Sequence, residues 1–174
     1  MQAEADALAA WQGRGAVELM AADITRGALL LERLEASRSL ASIPVADAAA
    51  TAGALIRTLA IQAPGSWPSV PASARQIAGA IEARQRSLHD PVPGPWVTLA
   101  AGLAADLARD PARMLVRTDL HYDNVLACQR PGQPWAAIDP KAAAGAPERS
   151  VAELLWTRAD ELAGPQAMTG LLDT

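Results

Sequence analysis

Proline and glycine cut this chain into short pieces, and that punctuation limits what it can become. Residues 63–73, "APGSWPSVPAS", form a Pro/Ser/Gly loop, "DPVPGP" at 90–95 is a second break, and Asp110-Pro111 and Pro131-Gly132 are two more. A proline inside a helix removes a hydrogen bond and clashes with the preceding turn, at a cost of about 3 kcal/mol. No helix is therefore expected to cross any of these points. Before Pro111 the periodicity predicts helices over 3–11, from Val45 to about Gln62 with Leu55 and Leu59 on its apolar face, from Ser73 to about Leu88, and over 96–109. The first ends at Gly13-Arg14-Gly15. Between the first two lie strand-like runs, "AVELMAAD" and "ALLLERL", joined by the polar turn Ile24-Thr25-Arg26-Gly27, which reads as a hairpin.

After Pro111 the character changes. "RMLVR", "NVLAC" and "PWAAID" read as three short strands, and "SVAELLWTRADEL" as a closing helix with Ser150 as its N-cap. There is no internal repeat. The order predicts an α+β chain dominated by helix.

At 174 residues the chain fits one domain, large enough to bury roughly 70% of its unfolded surface. A hydrophobic fraction of 51% against 20% charged residues is a globular composition. Net charge is −4 with no basic cluster, which argues against a nucleic-acid partner. No apolar run approaches the ~20 residues of a membrane span, so no membrane partner is expected. The N-terminus lacks the basic start and apolar centre of a signal peptide. The single cysteine, Cys128, fits a strand core and a cytoplasmic location.

Polar chemistry concentrates in "RTDLHYDN", residues 117–124, and in the Asp139 of "WAAIDPK". Asp119 and Asn124 are five residues apart on a loop between two short strands, and Asp139 ends the third strand. Phosphoryl transfer needs a carboxylate to orient and deprotonate the attacking hydroxyl, and oxygen ligands for Mg²⁺. One Asp, an Asn five residues on, and an Asp after the next hairpin can supply one base and two ligands, and the kinase catalytic loop has this Asp-x-x-x-x-Asn form. Asp and Asn in loops also cap turns, and that reading stands beside the catalytic one. His121 and Asp123 read as local loop hydrogen-bonders, and His89 as a surface residue. A metal-dependent hydrolase built on His89, His121 and Asp119 is a further reading, although the His-x-x-x-His type of spacing is missing.

"LVRTDLHYDNVLA", "QPWAAIDPKAAAGAPERSVAELLWTRADEL" and "GRGAVELMAAD…GALLLERLEASRSL" together resemble the aminoglycoside/hydroxyurea resistance kinases, within the wider aminoglycoside-phosphotransferase and protein-kinase-like fold. The resemblance implies a helical C-lobe with a residual hairpin of the N-lobe. Residues 1–36 would then be the remnant of the nucleotide lobe and hinge, and 37–174 the partial C-lobe. It implies Asp119 as catalytic base and Asn124 and Asp139 as Mg²⁺ ligands. Leu31-Glu32-Arg33-Leu34 would be the hinge whose backbone contacts adenine. ATP and Mg²⁺ are the implied cofactors, and the acceptor is a hydroxyl of an antibiotic such as streptomycin, or hydroxyurea.

Several residues depart from the family pattern. Arg117-Thr118 stand where His-Gly is usual, and Ala146 where an acidic residue is typical. Lys141 is the only lysine among 15 basic residues, and no Gly-rich phosphate loop precedes the hairpin. Glu4 resembles the helix glutamate that would pair with a phosphate-gripping lysine. The chain is thus expected to be truncated at both ends and weakly active or inactive alone. The alternative is a non-catalytic kinase remnant that binds a nucleotide or a partner, with homodimerisation through the hairpin's exposed edge as one outcome.

Overall fold

The computed structural model describes residues 1–162 and 164–172. Helix α1, Gln2–Trp11, turns its Leu8 and Trp11 inward, and Gln12 adopts a left-handed conformation (φ 52°) that ends it. The indole of Trp11 donates to the carbonyl of Leu59 at 2.8 Å, so a buried polar atom fastens α1 to the end of α2, Val45–Leu59. Strands β1, Leu19–Asp23, and β2, Ala28–Leu31, form the expected antiparallel hairpin. Gly27, at φ 67°, closes its turn.

Two three-stranded sheets carry the site. In the first, β3 (Glu35–Ser39) pairs with β6 (Val125–Arg130), which pairs with β7 (Gln133–Ala137). In the second, β4 (Ile61–Gln62) pairs with β5 (Met114–Arg117), which pairs with β8 (Ala142–Gly145). All these pairings are antiparallel. Between the sheets' segments the chain makes the helical hairpin α3, Val70–Ser87, and α4, Gly94–Leu107. Two further helices, α5 (Ala152–Thr157) and α6 (Pro165–Leu172), follow β8. One core unites Leu8, Trp11, Leu40, Leu55, Leu59, Leu115, Leu120, Tyr122 and Val125.

Several expectations are corrected. The helix expected to reach Gln62 stops at Leu59, because residues 61 and 62 are drawn into a ladder with Leu115 and Met114. Helix α3 begins at Val70, ahead of Ser73: the Oγ of Ser69 accepts the Ala72 N–H at 3.2 Å and Pro71 sits in the first turn. The closing helix is broken, with α5 flanked by 3₁₀ turns at Pro147–Val151 and Ala159–Glu161. Ser150 is not its N-cap. It is buried, and its hydroxyl donates to the carbonyl of Arg117 at 2.7 Å.

Candidate active site

The loop after β5 and the turn after β7 lie side by side because four side chains and backbone groups stitch them. Arg117 ends β5 with 1% of its surface exposed. Its Nη2 donates to the carbonyls of Ile138 at 2.5 Å and Asp139 at 3.1 Å. The N–H and the hydroxyl of Thr118 both donate to the carbonyl of Lys141 at 2.9 Å. From the other side the Ile138 N–H donates to the carbonyl of Asn124 at 2.9 Å. Residues 117–124 and 138–141 are therefore one hydrogen-bonded unit.

Within it Asp119 is 19% exposed and Asn124 is half-buried in a 3₁₀ turn, Tyr122–Asn124. The Asn124 amide donates from Nδ2 to the carbonyl of Asp119 at 3.4 Å, which leaves its Oδ1 free for a ligand. Asp139 is exposed and holds φ at 50°, a left-handed conformation sparsely populated by residues other than glycine. Such strained positions persist where the surrounding structure determines them, and here Arg117 grips the flanking carbonyls. Burial pushes the Arg117 guanidinium down to about 10, while Asp119 and Asp139 pull it back up; it remains a cation at neutral pH.

Asn124 Oδ1 and the Asp139 carboxylate are hard oxygen donors, the chemistry that suits Mg²⁺. No group of three His, Cys, Asp or Glu side chains suited to a metal is present among the described residues, which removes the hydrolase reading on His89, His121 and Asp119. His121 instead faces Asp123 at 3.8 Å, and His89 is exposed on the α3–α4 turn.

The segment after β2 shows a division of labour. Glu32 is consumed by structure: its N–H donates to the Glu18 carbonyl at 3.0 Å, and its carboxylate accepts the Glu18 N–H at 2.8 Å and pairs with Arg130 at 3.0 Å. Among the described residues the backbone N–H groups of Arg33 and Leu34 have no acceptor. Arg130 also donates to the carbonyls of Gly13 and Ala16, tying the end of α1 to this segment.

A cavity of about 630 Å³ opens beside the unit, lined by Glu4, Ile77, Thr118, Asp139, Lys141 and Arg149 among others. Lys141 reaches the Oδ2 of Asp119 at 2.7 Å, and that contact raises the affinity of its amine for a proton. Sequence reasoning noticed Lys141 only as the sole lysine. Its place directly after Asp139-Pro140, and the return of β8 against β5, bring it to Asp119. The sequence marks Arg117 as the first residue of the polar run 117–124 and as a departure from the family pattern, but not as the clamp on the Asp139 turn; a charged residue closing the apolar run Met-Leu-Val is the available signal.

A mixed fold in which an Asp-x-x-x-x-Asn loop is stitched to a strand end bearing a second Asp has the layout of a kinase-like protein. The chain belongs to the aminoglycoside/hydroxyurea antibiotic resistance kinase family, whose model matches residues 2–171. It is 36% identical over 157 residues to a streptomycin 6-kinase of Streptomyces glaucescens, covering 89% of this chain and 50% of that protein. It is 40% identical over 156 residues to a hydroxyurea phosphotransferase of Kitasatospora aureofaciens, covering 81% of this chain and 42% of that protein. A streptomycin 6-kinase of Streptomyces griseus is 37% identical over 142 residues, covering 80% of this chain and 46% of that protein. The chain thus spans about half the length of the relatives it matches. No solved structure matches it significantly. No helix among the described residues is long and apolar enough to cross a membrane.

Proposed function

We propose that this chain carries the catalytic half of an ATP-dependent small-molecule kinase that phosphorylates a hydroxyl group of an antibiotic such as streptomycin, or hydroxyurea. The observation that carries the reading is the hydrogen-bonded union of the Asp119–Asn124 loop with the Asp139 turn through Arg117, Thr118 and Ile138. Asp119 accepts the proton of the attacking hydroxyl. Asn124 and Asp139 would hold Mg²⁺, which would supply positive charge to offset that of the nucleotide's phosphates. Adenine docks against the hinge, Leu31 to Leu34. The free N–H groups of Arg33 and Leu34 supply its donors, and Glu32 serves the hinge by fixing it to Arg130. Residues 1–36 form the nucleotide-lobe part and 37–174 the acceptor-lobe part. The acceptor enters the cavity bounded by α3, Lys141 and Glu4. The reading includes a cytoplasmic site of action, and a second copy adding to a free edge of the β1–β2 sheet if the chain dimerises.

Calorimetry of ATP·Mg²⁺ on this chain and on Asp139→Ala tests the reading, followed by phosphorylation assays with streptomycin and with hydroxyurea. Binding that the substitution weakens is the expected result. Binding that is Mg²⁺-dependent but never followed by transfer to either acceptor would favour the non-catalytic nucleotide binder. Absence of binding to both proteins would sink the kinase reading for this chain.

A further inference from the structure

Every oxygen of Asp119 is spoken for or sealed. Its Oδ2 holds the Lys141 amine at 2.7 Å, and its Oδ1 is buried with no hydrogen-bond partner. An acceptor hydroxyl can reach the base only at Oδ2, the oxygen the lysine occupies. A base that keeps a cation on its proton-accepting oxygen is a poor base, so the amine must move when the acceptor enters. The side chain of Lys141 is 69% exposed, so little packing holds its stem, and its head is open to competing water.

The destination follows from geometry. In a productive complex the acceptor oxygen lies roughly 3 Å from the base and about 3–3.5 Å from the phosphorus it attacks. The γ-phosphate therefore sits within about 7 Å of the oxygen Lys141 leaves, inside the sweep of a four-carbon stem. The γ-phosphate also carries more charge than one carboxylate and attracts a point-charge ammonium more strongly. Of the basic side chains at the site, Lys141 is the one that bonds the base. The catalytic loop from Leu120 to Asp123 contains neither lysine nor arginine. Arg117 is buried with its Nη2 committed to two carbonyls, and Arg149, which lines the same cavity, has a buried and unpartnered Nη1 and stands away from Asp119.

We propose that Lys141 is a catalytic residue that exchanges the Asp119 carboxylate for the γ-phosphate of bound nucleotide, freeing the base and neutralising the transferring group in one movement. The proposal rests on the kinase reading above. In the step it serves, the acceptor O–H proton passes to Asp119 Oδ2 and the acceptor oxygen bonds to the γ-phosphorus. The bond from that phosphorus to the β–γ bridging oxygen breaks, and ADP leaves with its electron pair. Lys141 bonds the γ-phosphate oxygens throughout.

Because Lys141 is the only lysine, reductive methylation with ¹³C-formaldehyde marks it together with the N-terminal amine, and the Lys141→Arg protein identifies its signal by loss. The spectrum is recorded with ADP·Mg²⁺ and with the non-hydrolysable analogue AMP-PNP·Mg²⁺, each at saturation fixed by calorimetry. A lysine signal that moves with the γ-phosphate analogue and not with ADP is the expected result. Alongside it, Lys141→Ala should lower kcat by about 10²–10³-fold, the effect of removing one group that stabilises transition-state charge, while KM for ATP changes only a few-fold and Lys141→Arg recovers part of the rate. If both nucleotides bind and the lysine signal responds identically to them, or if Lys141→Ala keeps its kcat, the inference is wrong and the kinase reading survives. If neither nucleotide binds, the kinase reading fails and takes the inference with it.

Discussion

Arg117 reaches across from the end of β5 to the carbonyl of Asp139 at 3.1 Å, so the residue two positions before the proposed base holds the backbone of a proposed metal ligand. A buried guanidinium bonded to backbone couples the position of one loop to that of the other. Replacing Arg117 by Met keeps the volume and orphans the Ile138 and Asp139 carbonyls. The expected loss is about 1–3 kcal/mol of stability, less whatever is regained by removing a buried charge. Urea unfolding measures that loss, and calorimetry should show ATP·Mg²⁺ affinity falling more than the loss of folded protein explains.

Asp139 is held at φ 50° against its own preference. Glycine adopts that conformation freely, so Asp139→Gly should raise stability by about 0.5–1 kcal/mol while weakening Mg²⁺-dependent nucleotide binding. Asp139→Ala loses the carboxylate and keeps the strain, so its melting temperature should lie below that of the glycine variant. Equal melting temperatures for the two variants would show that the strain has no energetic weight.

Gly13 faces Arg130 so closely that an added Cβ would lie 2.7 Å from Nη1, and its φ of 75° resists any side chain. Gly13→Ala should therefore displace the guanidinium from the Gly13 and Ala16 carbonyls and from Glu32. A loss of about 2 kcal/mol or more is expected from the combined backbone strain and broken contacts. Hydrogen exchange should rise at Glu18 and Glu32, whose mutual bonds depend on that anchor. Unchanged exchange there would separate Gly13 from the hinge.

Arg158 joins the C-terminal turn to the start of the helical part, donating from Nη1 to the carbonyls of Leu40 at 3.3 Å and Ile43 at 2.9 Å. Its guanidinium also lies 5.2 Å from the centre of the Tyr122 ring. Glu161 holds its other edge, and the hydrogen bond from Arg158 lowers the Glu161 pKa below its ordinary 4.5. A carboxyl lowered on folding contributes stability that is fully present above 4.5 and is lost as the pH falls through the lowered value. Acid unfolding of the wild type should therefore show a dependence in that window that Glu161→Gln removes. Equal acid profiles for the two proteins would refute this.

The parts of the fold written in periodicity were legible: α1, the β1–β2 hairpin and the helical runs follow from apolar spacing and from prolines that no helix crosses. The missed elements draw their form from partners. Strand β8 is Ala-Ala-Ala-Gly, a sequence with no strand preference, and it is extended because β5 offers a ladder for Ala142 to Gly145. Strand β3, Glu-Ala-Ser-Arg-Ser, is an exposed stretch paired on β6. Ser69 and Ser73 look alike to a capping rule, and only the position of Pro71 in the first turn separates them. At the site, Asp119, Asn124 and Asp139 could be named from spacing and resemblance, whereas the Lys141–Asp119 contact could not. It depends on the register of β8 against β5, which nothing in the local sequence announces.

The last strand before Asp139 is held from a great distance along the chain. Ala137 exchanges hydrogen bonds with Gly15 and Val17, and nearby Gln133 donates to the Gly13 carbonyl, 120 residues away. Contacts of that separation close a large loop and are made late in folding. During synthesis Gly15 and Val17 wait for these partners until Ala137 has left the ribosome. The turn that carries Asp139 therefore takes its place only once the two ends of a 120-residue loop have met.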